Sequence, residues 1–96
     1  MSYNDAAHAL RNPHKGKLFN APTKKGGYDV NAGCVYSYEK KDVTAAKVLA
    51  VLTGDAATAG GPVLKSNENS NVFFYFADHG APGLVAMPVG PYLYAD

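Results

Sequence analysis

The sequence predicts an α/β unit built around one buried strand, and three observations carry that prediction. The run Val72-Phe-Phe-Tyr-Phe-Ala77 is β-branched and aromatic, has strand length, and does not alternate with polar residues. A run apolar on both faces suits a central strand covered on both sides, as in a mostly parallel sheet. Ahead of it, Val43-Thr-Ala-Ala-Lys-Val-Leu-Ala-Val-Leu52 places Ala45, Val48, Leu49 and Leu52 on one face at helical spacing. Behind it, the turn Gly80-Ala-Pro-Gly83 leads into Leu84-Val-Ala-Met87, a short second strand that folds back as a hairpin extension.

In chain order, Met1 to Gly33 is dense in turn formers: Asn12-Pro13, Ala21-Pro22, Lys24-Lys-Gly-Gly27 and Ala32-Gly33. These are spaced too closely for long elements, so about a third of the chain is expected to be loop. The helix is expected from about 44 to 53, with Asp42 or Thr44 capping its start and Gly54 supplying a left-handed stop. Ala56 to Ala59 can add a last turn before Gly60-Gly61-Pro62 ends it. The polar stretch Lys65-Ser-Asn-Glu-Asn-Ser-Asn71 then connects to the strand. From Pro88 to Asp96 the chain offers Pro, Gly and two tyrosines without a clear element.

Ninety-six residues suffice for one domain and not two. A 47% apolar, 18% charged composition excludes a disordered tail, a collagen-like rod or a coiled coil. A net charge of +1 and a pI near 7.8 give no polybasic footprint, which argues against nucleic acid or an anionic membrane as the main partner. Val72 to Ala77 is far shorter than the roughly 18 to 20 residues of a membrane span, and Met1 is followed by Ser-Tyr-Asn-Asp, so no secretory leader is expected in these residues. A single cysteine, Cys34, excludes an internal disulfide and a thiolate-rich metal site, and the chain has no Asn-x-Ser/Thr sequon.

Asp78-His79-Gly80 follows the buried strand, and in open parallel sheets ligands and catalytic groups gather at the carboxyl ends of strands. An imidazole there can shuttle a proton near neutral pH, and a glycine after it lets a peptide N–H approach a substrate carbonyl. Position alone leaves a second reading open, a polar strand end entering a turn. Cys34 is a candidate nucleophile only on paper. No basic residue lies within three positions of it, free cysteine is among the most buried residue types, and a structural role is expected. His8 and His14 lack partners at ligand spacing beyond Asp5, which argues against a metal site. The lysines of Lys15-Gly-Lys17 and Lys24-Lys25 sit beside glycines but not between a strand and a helix start, so phosphate cradling lacks its geometry. Asp55 marks an exposed loop after the helix. No cofactor is called for.

Taken together, these motifs resemble the legumain family of cysteine peptidases, the asparaginyl endopeptidases or vacuolar processing enzymes. The matching residues are Tyr3-Asn-Asp5, Asn12-Pro13 with Pro22, Gly27-Tyr-Asp-Val-Asn-Ala-Gly33, Asp42-Val-Thr44, Leu49-Ala-Val-Leu-Thr-Gly-Asp55, Val63-Leu-Lys-Ser66 and Asn71-Val-Phe-Phe-Tyr-Phe-Ala-Asp-His-Gly-Ala-Pro-Gly-Leu84. They run in family order over nearly the whole chain, and the last stretch is the most specific. The resemblance implies a caspase-like three-layer α/β sandwich, hydrolysis of peptides and proteins after asparagine and less readily aspartate, and a lysosomal or vacuolar setting. His79 maps onto the catalytic histidine, the Gly80 N–H onto an oxyanion donor, and Asp78 onto the acidic neighbour of the histidine. Cys34 matches a non-catalytic position, so no nucleophile is expected among these residues.

By the same resemblance, residues 1–96 form part of a catalytic domain whose first strand and nucleophile-bearing strand are expected outside them. The chain is then expected to be inactive by itself, and to be aggregation-prone or molten with Phe73, Phe74, Tyr75 and Phe76 exposed. Two other readings remain: a non-catalytic α/β interaction module derived from the family, and a segment related to glycosylphosphatidylinositol transamidase subunits, which share a strand and a His-Gly.

Overall fold

The computed structural model describes residues 1–96. The best-formed element is helix α1, Ala45–Thr53. Thr44, extended, accepts from the Lys47 N–H through its hydroxyl at 3.3 Å, and the Gly54 φ of 76° lets the chain turn back so that Gly54 and Asp55 N–H groups bind the Val51 and Ala50 carbonyls. That is a Schellman stop, and it satisfies carbonyls the helix leaves orphaned. A second short helix, α2, Ala56–Ala59, starts on the Asp55 carboxylate, which accepts from the Thr58 N–H at 3.0 Å, and ends on left-handed Gly60. Lys47 reaches back from α1 to donate to the Ala59 carbonyl at 2.6 Å, tying the two helices together.

The sheet has three two-residue strands, β1 (Gly80–Ala81), β2 (Leu84–Val85) and β3 (Leu93–Tyr94), in the order β1-β2-β3 and antiparallel throughout. The mostly parallel central sheet expected from the sequence is absent. Val72 to Ala77 runs extended without a ladder, and no backbone hydrogen bond forms from Asn71 to Asp78. A strand exists only in pairs, and a centrally placed one needs neighbours on both edges that this chain does not bring to it. The one parallel pairing is the isolated Ser2–Glu39 bridge. The folded-back strand expected from Leu84 is present, with Leu84 opposite Ala81 and Val85 opposite Gly80. Outside α1, α2 and the hairpin, residues 1–44 form bends, isolated bridges and two 3-10 turns at Thr23–Lys25 and Lys40–Asp42, as the density of turn formers predicts.

Two small apolar clusters hold these pieces. Val43, Ala45, Val48 and Met87 pack with Leu52, Phe76 and Leu93, joining α1 to the hairpin; Tyr38, Ala50 and Ala59 pack with Val51 and Val63, joining α1 to α2. The helix thus buries Ala50 towards α2 and leaves Leu49 half exposed, because it is packed from two sides instead of along the single stripe its periodicity suggests. Burial is sparse: 7 of 96 residues are buried and Phe73 is 90% exposed. The radius of gyration is 15.8 Å, against about 13 Å for a compact domain of this size. The 34 backbone–backbone hydrogen bonds are about half the ~65 such a domain would make.

Two predictions follow from these contacts. A methyl group on Gly61 would lie 3.0 Å from the Tyr38 hydroxyl, and that ring is buried with its hydroxyl donating to the Pro62 carbonyl at 2.7 Å. Gly61→Ala should therefore cost about 1–3 kcal/mol, read as a lower urea midpoint of the helical ellipticity, with Gly83→Ser, in an open turn, as the strained but unclashed comparison. Thr58, through its hydroxyl and its N–H, holds the Asp55 carboxyl below its ordinary 3.8. A depressed folded-state value stabilises above 3.8 and is lost as pH falls through the lower folded value. Acid titration should therefore show a loss of helical ellipticity below pH 3.8 that Asp55→Asn removes.

Candidate functional site

The hairpin is set by its turn. Pro82 and Gly83 occupy the second and third places of Ala81-Pro-Gly-Leu84, and Gly83 has φ 80°, the pattern of a type II turn. His79 lies immediately before β1, and its carbonyl accepts from the Ala86 N–H at 2.8 Å, which extends the ladder one step. In an antiparallel ladder hydrogen-bonded and open pairs alternate, so a bonded His79–Ala86 pair puts Gly80–Val85 in the open pair. The Gly80 N–H then points away from β2, and since β1 is the sheet edge it faces outwards, unpaired.

His79, Gly80, Ala81, Leu84, Ala86 and Tyr92 line one shallow depression of about 220 Å³. The structure thus brings two of the three residues singled out by sequence, His79 and Gly80, into one concavity. Asp78 goes elsewhere. It lines the rim of a larger apolar groove of about 730 Å³ between α1 and the Val72–Ala77 segment, as side chains that alternate along extended chain require. Its carboxylate accepts from the His79 peptide N–H at 2.7 Å and so fixes the backbone at the histidine, not the imidazole. Gly80 is sterically determined as well, since a Cβ there would meet the Leu84 carbonyl at 3.1 Å.

Cys34 lines neither concavity. It lies in the loop after Asn31, and the burial expected from its residue type is corrected by the structure: the thiol is exposed, 3.4 Å from the Val30 carbonyl. Loop residues of Gly33-Cys-Val35 have nothing to pack under, and Val35 is 94% exposed. The loop itself is organised by Asp29, whose carboxylate accepts from the Leu18 and Asn31 N–H groups at 3.0 Å each and is held below its ordinary value by them, against some desolvation and with help from Lys17. Tyr36 donates to Asn31 Oδ1 at 2.6 Å, and the Cys34 sulfur beside its phenol, with desolvation, pushes its ionisation above the usual 10.0. His8 and His14 are exposed, and the His14 ring packs edge-on to Phe19. Asp55, expected in an exposed loop, is exposed but serves as the α2 cap.

The residue that sequence reasoning missed is Tyr92, which walls the depression with Leu84 and Ala86 and packs edge-on to Tyr94. The Tyr92-Leu-Tyr94 alternation after Gly90-Pro91 was the available signal for β3.

With this geometry in place, the comparisons with known proteins become specific. Residues 1–96 match the Peptidase C13 family. The chain is 51% identical over 88 residues to a hemoglobinase of Schistosoma mansoni, covering 92% of this chain and 20% of that protein. It is 45% identical over 96 residues to vacuolar-processing enzyme beta-isozyme 1 of Oryza sativa subsp. indica, covering 97% of this chain and 19% of the relative. Against the vacuolar-processing enzyme beta-isozyme of Arabidopsis thaliana it is 44% identical over 98 residues, 99% of this chain and 20% of the relative. The chain belongs to the Peptidase C13 family, a family of cysteine peptidases, and spans about a fifth of the length of these curated relatives.

An exposed thiol outside the concavities makes a direct prediction. In native buffer Cys34 should react with a chromogenic disulfide at a rate within about tenfold of a free thiol, since neither burial nor a basic neighbour alters it. Slow labelling that becomes fast only in denaturant would contradict its exposure.

Proposed function

We propose that residues 1–96 are the histidine-bearing part of a legumain-like cysteine endopeptidase that cleaves peptide bonds after asparagine and, less readily, after aspartate. The observation that carries the reading is the coincidence of a family match over the whole chain with His79 and Gly80 lining one open depression, the Gly80 N–H being unpaired. An imidazole there is free to take the proton of an approaching cysteine thiol and return it to the leaving amine. The Gly80 N–H, unclaimed by the sheet, is a donor for the oxyanion that forms as the carbonyl is attacked. Asp78 acts on the backbone that carries both groups. The nucleophilic thiol is one that these residues do not supply, since Cys34 stands apart from the depression. Protein and peptide substrates, and a vacuolar or lysosomal place of action, are supported by the names of the vacuolar-processing relatives. Those relatives also favour the endopeptidase over the transamidase-like and non-catalytic readings.

Residues 1–96 by themselves should turn over no Ala-Ala-Asn fluorogenic peptide in mildly acidic buffer. A longer polypeptide containing them that does so should lose about 10³- to 10⁴-fold in kcat/KM with His79→Ala, and about as little as twofold with Cys34→Ser. Peptides with Asn, Asp or Ala at the cleaved position test the specificity. Turnover by residues 1–96 that depends on His79, or an active His79→Ala protein, would overturn the assignment.

A further inference from the structure

Charge is distributed unevenly along this chain. Residues 6–28 hold Arg11, Lys15, Lys17, Lys24 and Lys25 and neither Asp nor Glu, whereas the remainder holds four lysines and all 8 acidic residues. The whole-chain charge of +1 averages over that asymmetry. All five cations are exposed, and the leucines beside two of them, Leu10 before Arg11 and Leu18 after Lys17, are 95% and 53% exposed.

These residues sit on two loops closed by local hydrogen bonds. In the first, the Ala6 carbonyl accepts from the Gly16 N–H and from Asn12 Nδ2, both at 2.9 Å. Asn12 Nδ2 also donates to the Lys17 carbonyl at 3.1 Å, and its Oδ1 accepts from the His14 N–H at 2.9 Å, so one asparagine staples the loop that carries Leu10, Arg11 and Lys15. In the second, Phe19 is bridged to Asp29, and Lys24 and Lys25 occupy the 3-10 turn between them. Both loops close on the same short pairing, in which the Leu18 carbonyl accepts from the Val30 N–H at 2.8 Å and the Gly16 carbonyl from Asn31 Nδ2 at 3.4 Å. The display of the cations therefore depends on residues 6–31, and not on the sheet edge or on Val72 to Ala77.

The flanking Asp29 is occupied by the Leu18 and Asn31 N–H groups, and among the five cations only Lys17 helps to hold it ionised. Lysine and arginine are almost never buried without a partner, so Arg11, Lys15, Lys24 and Lys25 are expected to keep these loops at the surface of a longer polypeptide too. Cations alone would suit any polyanion. The leucines interleaved with them narrow the choice: they neither stack on a base nor hydrogen-bond to a sugar, but they gain by leaving water for the acyl boundary of a bilayer while the cations meet its phosphates.

We propose that residues 6–28 dock the protein on an anionic phospholipid surface, with Leu10 and Leu18 entering the headgroup boundary and Arg11, Lys15, Lys24 and Lys25 contacting lipid phosphates. This surface is separate from the depression at His79 and leaves it open to peptide substrate.

The test follows co-sedimentation of residues 1–96, and of a longer polypeptide containing them, with vesicles of phosphatidylcholine alone or with about a third phosphatidylglycerol. Binding to the mixed vesicles should be at least about tenfold tighter than to the neutral ones and should weaken as salt is raised. Lys24→Gln with Lys25→Gln should weaken it by about tenfold or more, whereas Lys40→Gln with Lys41→Gln, an equal charge change outside the two loops, should cost less than about threefold. Leu10→Ser should weaken it about fivefold or more, a loss that a purely ionic contact would not show. Equal binding to neutral vesicles, equal loss with the Lys40 and Lys41 pair, an unaffected Leu10→Ser chain, or no binding would each overturn the proposal. So would binding to a sulfated polysaccharide without binding to vesicles, which would assign the loops to a soluble polyanion, and so would vesicle binding that is lost in the longer polypeptide.

Discussion

The peptide groups of Asn71 to Asp78 have no partners, and much of the structure depends on that fact. Their side chains are among the strongest β formers in the chain, and they do alternate: Phe74 and Phe76 stack 6.4 Å apart on the side of α1, with Phe76 reaching the Val43–Val48–Met87 cluster, while Phe73 and Tyr75 are 90% and 79% exposed. The backbone is therefore extended without being a strand. Unpaired N–H and C=O groups are tolerable only while water satisfies them, so the segment stays at the surface and a groove of about 730 Å³ remains between it and α1. Filling that groove and covering Phe73 would each be worth roughly 1.5–3 kcal/mol per large side chain. The chain does not collect that stabilisation, and its small clusters and large radius are the result.

The same constraint shapes the candidate site. The ladder begins only at His79, where the carbonyl finds the Ala86 N–H, and the Pro82-Gly83 turn fixes the register that follows. Because β1 is an edge with nothing beyond it, the Gly80 N–H faces outwards, and His79 is exposed beside it. For the reaction proposed above, a histidine and an unpaired N–H at an open edge leave room for groups arriving from elsewhere. The depression is shallow, and the one side-chain hydrogen bond at His79 is to its peptide N–H, not to its ring.

How far the sequence was legible depended on whether a feature is local. The Thr44 cap, the Gly54 stop, the α2 turn and the Pro82-Gly83 hairpin are each decided by a few adjacent residues, and all were visible. The run Val72 to Ala77 was correctly seen as extended and apolar on both faces, but pairing is a relation between distant segments, and composition says only that a strand wants neighbours. Leu49 and Ala50 exchanged roles because periodicity gives a helix one face and cannot report packing from two sides. Cys34 was misplaced for a related reason: the average burial of a residue type does not apply in a loop with nothing above it. The place of His79 at the end of the run was readable, whereas its company with Tyr92 depends on β3 closing the sheet.

Whether Val72 to Ala77 is held by anything within residues 1–96 decides the rest, and amide hydrogen exchange reads this residue by residue. The structure predicts that the amides of Val72 to Ala77 exchange at rates close to those of unstructured peptide, while the hydrogen-bonded amides of α1, from Val48 to Gly54, exchange more slowly than the rest of the chain. Protection across Val72 to Ala77 equal to that of α1 would show a paired strand, and would contradict the unpaired run from which the open edge at His79 is argued.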